Sequence, residues 1–198
     1  MRPTEAEARL RHAAARGAAP SSDFELDPGP PLPAGRVLRP AAVLLAVDLS
    51  GPEARVILTK RSAHLRHHPG QIALPGGKLD DGEGPTEAAL REAREEVGLP
   101  PGLPEVLGLL GPHETVTGFE VTAVLAVVRE PFAPRPEAGE VDEVFGVPLS
   151  HLASLASYRV EGRRWQGRRR HFWVVPYGPY YIWGATARIL RGLAERMT

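Results

Sequence analysis

Apolar residues are distributed in two ways along this chain. Short, nearly continuous runs at 41–47, 55–59 and 121–128 are rich in Val, Leu, Ile and Ala, which suits strands buried on both faces of a sheet. Weaker runs at 106–110 and 144–147 predict two further strands, and Gly76-Gly77 is expected to break the strand pattern ahead of the helix. Elsewhere the apolar positions recur at helical spacing. Over 85–97, Ala89, Leu90, Ala93 and Val97 fall on one arc, and over 182–196 Leu190 and Leu193 form a core-facing stripe. Residues 4–16 have a helix-forming composition with little segregation of apolar positions, so a short N-terminal helix is predicted. A helical turn or two is predicted at 150–156. Segments 158–160 and 171–175 are expected to pair across the Arg-rich stretch between them, with Gly162 and Gly167 supplying the turn. Strands interleaved with helices give an α/β fold class, layered around a mixed sheet.

Composition adjusts this picture in three places. The 21 Gly and 21 Pro cluster, notably at Pro28, Pro30, Pro31, Pro33 and Gly35, so they punctuate a packed domain; 18–37 is expected to run extended over the surface. The division expected is 1–37, an N-terminal helix and Pro-rich connection, and 38–198, the main domain. Twenty-four basic residues balance 24 acidic ones, and all the basic residues except Lys60 and Lys78 are Arg. That balance argues against binding nucleic acid by bulk electrostatics. No cysteine is present, which excludes disulfides and thiol nucleophiles. No apolar run reaches the roughly 18 residues of a membrane span, so no membrane partner and a cytoplasmic location are expected.

The chemistry concentrates in residues 77–99. Gly84 followed by Pro85 suits an N-cap and first helical position, Glu87 falls where a carboxylate favours the helix dipole, and Gly98 suits the left-handed residue that ends a helix. At about 100° per residue, Glu92, Glu95 and Glu96 share one face of that helix. Three such carboxylates repel one another, and a divalent cation would convert the repulsion into a ligand set. Glu83, on the entering loop, can lean toward the same place.

The full pattern is Gly77, five residues, Glu83, seven residues, then Arg91-Glu92-Ala93-Arg94-Glu95-Glu96-Val97-Gly98-Leu99. It resembles the signature of the Nudix hydrolases, departing only at Ala93, where that family usually has a larger aliphatic residue. The resemblance implies an α/β/α sandwich around a mixed sheet and hydrolysis of a diphosphate linked to another group. It implies Mg²⁺ or Mn²⁺ held by Glu92, Glu95 and Glu96, with the Gly76 carbonyl as a further ligand, and Arg91 paired with Glu83. The general base varies within the family. It could be one of these glutamates or a carboxylate from a later loop, Glu140 or Glu143, of which Glu143 is preferred.

Flanking residues bear on the substrate. Thr59-Lys60-Arg61-Ser62, Leu65-Arg66-His67-His68-Pro69-Gly70-Gln71, Pro75-Gly76-Gly77, the 141–149 segment and the 182–190 segment resemble the coenzyme A diphosphatase branch. That branch implies cleavage of coenzyme A, and of its derivatives, to 3′,5′-ADP and 4′-phosphopantetheine. Lys60, Arg61 and Arg66 would meet the ligand's phosphates, since Arg forks suit phosphate oxygens, and Gln71 would fix the loop. His67 and His68 are expected to pack or hydrogen-bond within that loop, and His113 to be structural. Trp183 is expected to be a packing anchor ahead of an adenine stacker, and 163–170 a hairpin tip ahead of a nucleic-acid site. Two other functions stay open: hydrolysis of another nucleoside diphosphate derivative, such as a sugar nucleotide or dinucleotide, and a non-catalytic ligand sensor. A homodimer is compatible with all of them.

Overall fold

The long central strands follow from the apolar runs. In a computed structural model that describes residues 1–16, 19–27, 35–165 and 167–198, β2 (Arg39–Asp48) and β8 (Phe119–Val128) lie parallel, in register from Arg39 opposite Phe119 to Asp48 opposite Val128. Alternation sorts their side chains. Ala42, Leu44, Ala46, Val124, Ala126 and Val128 face one layer, while Leu45, Val47, Leu125 and Val127 face the other. Both faces are covered, so the runs carry no polar face.

The helices supply the covers. α1 (Pro3–Ala15) and α4 (Gly184–Met197) pack on the second layer, with Ala6, Leu10, Ala13, Leu190 and Leu193 all buried there. α2 (Pro85–Val97) covers the first layer through Ala88, Ala89, Ala93 and Val97, with Leu90 half-buried at its margin. The arrangement is the expected α/β/α sandwich. β3 (Arg55–Arg61) is antiparallel to β2 and to β9 (Val141–Pro148), and β6 (Pro104–Leu109) is antiparallel to β8. Four short strands carry too few residues to show a period. They are β1 (Ser21–Ser22), β4 (Ile72–Ala73), β5 (Gly76–Lys78) and β7 (His113–Glu114).

Three expectations are corrected. Gly76-Gly77, read as a break, forms β5 and pairs with Ala42 and Val43 of β2; a Cβ on Gly76 would collide with Ala42 O and Val43 Cα, so only glycine permits this approach. Gly162 lies inside β10 (Arg159–Trp165), opposite His171 of β11 (Arg168–Val174), so the turn falls to Gly167 with φ of 78°. The helical turn expected at 150–156 divides into α3 (Leu149–Leu152) and a 3₁₀ turn at Leu155–Ser157. Part of the Pro-rich connection, residues 18 and 28–34, lies outside the described residues, as does residue 17 before it.

The described part of that connection is a strap. Ser21 and Ser22 pair in parallel with His113 and Glu114. His113, fully buried, is hydrogen-bonded to Ser21 Oγ at 2.9 Å and to Asp23 Oδ1 at 3.1 Å, which confirms a structural histidine. Among the described residues no helix is long and apolar enough to cross a membrane.

α2 ends where the sequence predicts. Gly98 has φ of 69° and its N–H donates to Arg94 O, and a Cβ there would lie 2.9 Å from the Arg135 Cβ. Gly98→Ala is therefore expected to lower stability by about 1–2 kcal/mol in urea denaturation, through both left-handed strain and this contact.

Candidate functional site

The site is built where α2 meets β5. Gly84 N–H donates to Glu87 Oε2 at 2.8 Å, half of a capping box, and this starts the helix immediately after the 78–83 loop. Arg91 then closes that loop onto the helix. Its Nε and Nη2 donate to the two oxygens of Glu83, each at 2.9 Å, and Nη2 also donates to Lys78 O at 3.1 Å. This fork holds the Glu83 carboxyl below the usual carboxylate range. Arg91 Nη1 reaches Glu92 Oε1 at 2.9 Å and Glu95 Oε2 at 3.2 Å.

The three helix carboxylates are not equivalent. Glu95 is the most exposed, at 57 % of its side chain, Glu92 retains 18 %, and Glu96 is 5 % exposed as a residue. Glu96 Oε2 accepts from Gly76 N–H at 3.1 Å, and its Oε1 lies 3.8 Å from Arg61 Nη1. Burial pushes the Glu96 carboxyl up to about 7. Glu92 and Glu140 push the same way, against the pull of the Gly76 N–H and Arg61. Burial also raises Glu92, against Arg91. Gly77 makes room for this packing, because a Cβ there would collide with the Glu92 carboxylate.

A hard divalent cation fits this donor set. Glu96 is a buried carboxylate whose closest partner is a neutral N–H, and its acidic neighbours add repulsion that a cation removes. Glu92 and Glu95 each lend one oxygen to Arg91, so among the described residues no three acidic or histidine side chains already enclose an ion.

The flank divides at a bulge. Lys60 is paired with Glu143 across β3 and β9, but Arg61 is paired with Val141, leaving Asp142 as the extra residue. Arg61 turns to Glu96, whereas Lys60 lines a cleft of about 570 Å³ together with Gln71, Glu143, Arg163, Tyr180 and Trp183. Arg66 is exposed on the 62–71 loop, and the Gln71 carbonyl accepts from Arg61 N–H at 2.9 Å.

The two candidate loop carboxylates have different surroundings. Glu143, the preferred base, accepts from Tyr180 Oη at 2.5 Å and faces the cleft. Glu140 ends a loop pinned to the motif helix by Glu137 N–H donating to Glu96 O at 2.9 Å, and it acts electrostatically on both Glu92 and Glu96. Tyr180 and Tyr181 of the cleft were missed in the sequence, where their signal is the aromatic cluster 180–183, whereas Arg163 comes from the Arg-rich stretch, one Arg of which the sequence allows to reach a substrate. Trp183 combines both expected settings: it packs on Phe172 and also borders the cleft.

A protein-family model for the NUDIX domain matches residues 38–169. The chain belongs to the Nudix hydrolases. A Shigella boydii protein described as an uncharacterized Nudix hydrolase, NudL, is 41 % identical over 157 residues, covering 79 % of this chain and 81 % of that one. The NUDIX domain of Shewanella oneidensis NrtR, solved with ADP ribose, matches with a TM-score of 0.52 and 18 % identity over 89 % of this chain and 97 % of its own. A MutT/nudix family protein from Enterococcus faecalis matches with a TM-score of 0.52 and 17 % identity, over 84 % and 64 % of the two chains. These two likenesses concern the fold. Nudix hydrolases are pyrophosphohydrolases of small-molecule substrates and generally use divalent metal ions.

The raised Glu96 carboxyl has a stability consequence. Its value in the folded protein, about 7, exceeds the ordinary 4.5, so the folded state favours the protonated form between these values. The resulting stabilisation is full below the ordinary value and is lost as pH rises through the folded one. Metal-free protein is expected to lose about 2 kcal/mol between about pH 5 and pH 8 in urea titrations, and Glu96→Gln to flatten that slope. Arg91→Ala, which removes the fork on Glu83, is expected to cost about 2 kcal/mol at neutral pH in the same titrations.

Proposed function

We propose that the chain hydrolyses the diphosphate of coenzyme A, and of its acylated or oxidised derivatives, to 3′,5′-ADP and 4′-phosphopantetheine. The observation that carries this reading is the divergence of two neighbours on β3. Arg61 turns to the motif carboxylate Glu96, while Lys60 enters a cleft bordered by aromatic rings. A ligand with a diphosphate at the motif and further phosphate on its nucleotide arm suits that split. The flanking resemblance to coenzyme A diphosphatases supports the same substrate, and a substrate of this kind belongs to the cytoplasm. The working unit in this reading is 38–198, with 1–37 as its accessory segment.

In this reading Glu92, Glu95, Glu96 and the Gly76 carbonyl hold Mg²⁺ or Mn²⁺, which neutralises diphosphate charge and makes a water nucleophilic. The chain's own residues supply the rest. Glu83 fixes Arg91, and Arg91 orients Glu92 and Glu95. Water adds to one phosphorus, the P–O–P bridge breaks, and two phosphomonoesters leave. We assign acceptance of the water's proton to Glu140, whose loop is hydrogen-bonded to the motif helix. Glu143, held by Tyr180, shapes the cleft. Arg61 remains beside the diphosphate, Arg66 reaches from its exposed loop, and Gln71 steadies that loop.

The test is product analysis by mass spectrometry after incubation with coenzyme A, dephospho-coenzyme A, a sugar nucleotide and a dinucleotide, with Mg²⁺ or Mn²⁺. Coenzyme A is expected to be cleaved with the highest kcat/KM, and equal rates on its dephospho form would remove the proposed phosphate recognition. Glu140→Gln is expected to lower kcat by about 10²- to 10⁴-fold, the range for a lost general base. A larger effect from Glu143→Gln would return that role to Glu143.

A further inference from the structure

Of the cations bordering the cleft, one comes from outside the segments that suggested the substrate. Arg163 lies on β10, in the Arg-rich hairpin, across the cleft from the β3 wall that carries Lys60. Its guanidinium sits over the Trp183 ring, 5.7 Å from the centroid, and among the described residues it pairs with no carboxylate. Lys60 likewise has no acidic partner among the described residues. Among the described residues the one carboxylate bordering the cleft, Glu143, accepts a hydrogen bond from the Tyr180 hydroxyl, which reduces its repulsion of an anion. Two cations against one hydrogen-bonded carboxylate leave the cleft biased toward a doubly charged phosphate.

The hairpin's position is also held. The strap residue Asp27 accepts from His171 N–H at 2.5 Å and is hydrogen-bonded to its Nδ1 at 2.6 Å, while Glu25 accepts from Trp173 Nε1 at 3.1 Å. His171 lies directly opposite Gly162, the residue preceding Arg163. Gly162 lacks the Cβ that would approach the His171 ring at 2.9 Å. The root of Arg163 is therefore fixed from two sides, and the Trp183 face orients its head before any ligand arrives. Arg164, the next residue, points to the other face of the strand by simple alternation and does not border the cleft.

We infer that Arg163, with Lys60 opposite, binds the terminal phosphate on the nucleotide arm of the substrate and is the specificity-determining residue for 3′-phosphorylated over unphosphorylated nucleotides. The inference rests on the proposed coenzyme A reading and deepens it. It moves the discrimination away from the 60–66 flank alone and onto the hairpin. The cleft volume, about 570 Å³, lies within the range of small-molecule sites.

The test uses the full chain and two readouts. Calorimetric binding of 3′,5′-ADP and of 5′-AMP is compared in the parent protein, Arg163→Gln and Arg164→Gln, and kcat and KM are measured for coenzyme A and dephospho-coenzyme A. The parent is expected to favour 3′,5′-ADP, and Arg163→Gln to reduce that preference about tenfold, the scale of one charge-assisted contact. In Arg163→Gln the KM for coenzyme A rises, with kcat and the KM for dephospho-coenzyme A shifting less than about twofold. Arg164→Gln keeps the preference, which separates a local contact from the hairpin's general charge. A parent protein without any preference overturns the substrate reading and this inference together. A parent that prefers 3′,5′-ADP and an Arg163→Gln variant that keeps the preference overturn this inference alone.

Discussion

The seating of α2 on β5 governs the rest of the site. Two glycines make it possible: Gly76 lets β5 approach the β2 backbone, and Gly77 leaves space for the Glu92 carboxylate. With that approach in place, Gly76 N–H meets Glu96, and a carboxylate becomes buried at the end of the central sheet. Burying an ionisable group against one neutral donor is unfavourable, and the fold tolerates it because Arg91 and Arg61 bracket the acidic face without neutralising Glu96 outright. A larger residue at Gly77 would relax that tension and remove the site with it.

A second constraint acts at a distance. The strap 21–27 is tied to the sheet through His113 and to the hairpin through Asp27 and Glu25, and Glu25 also pairs with Arg188 of α4. The separate two-stranded sheet β10–β11 is thus fastened to the main sandwich by these polar contacts as well as by Trp173, which packs against the main core. Its backbone pairing with the rest is an isolated bridge from Val174 to Trp183. The cleft wall formed by the hairpin thus depends on the N-terminal segment, although that segment contributes no residue to the motif. Its helix α1 shares the main core, and Arg9 donates to Met197 O at 2.8 Å.

Elements with a strong period were legible from residue identity: α2 starts and ends where its caps require, and β2, β3 and β8 occupy their apolar runs. The two- and three-residue strands were not, because their existence depends on what the rest of the chain brings beside them. The motif was legible because its seven polar or glycine positions lie within one short strand, the loop after it and one helix with its cap, where local geometry fixes their relation. The cleft was not, since Lys60, Glu143, Arg163 and Tyr180 meet only through tertiary packing. The bulge at Asp142 decided the loop carboxylates: one extra residue in β9 carries Glu143 to the Lys60 side, while Glu140 stays beside the motif helix. No spacing rule in the sequence marks that bulge.

The balance of 24 basic and 24 acidic residues conceals a local separation of charge. Acidic groups gather on α2, Lys60 and Arg163 border the cleft, and Arg61 stands at the boundary with its Nε buried and without a hydrogen-bond partner among the described residues. A buried guanidinium nitrogen left unsatisfied carries a desolvation cost that a ligand oxygen would repay. In the proposed reading the carboxylate face would hold cations that take the diphosphate, and the basic cleft would take the phosphate on the nucleotide arm. Two separate anion sites of this kind would orient the molecule as well as attract it, because a reversed ligand would leave the cleft cations without a phosphate. In the proposed reading that orientation would set the bond to be cut at the acidic face and the nucleotide arm in the cleft, as cleavage of an asymmetric diphosphate requires.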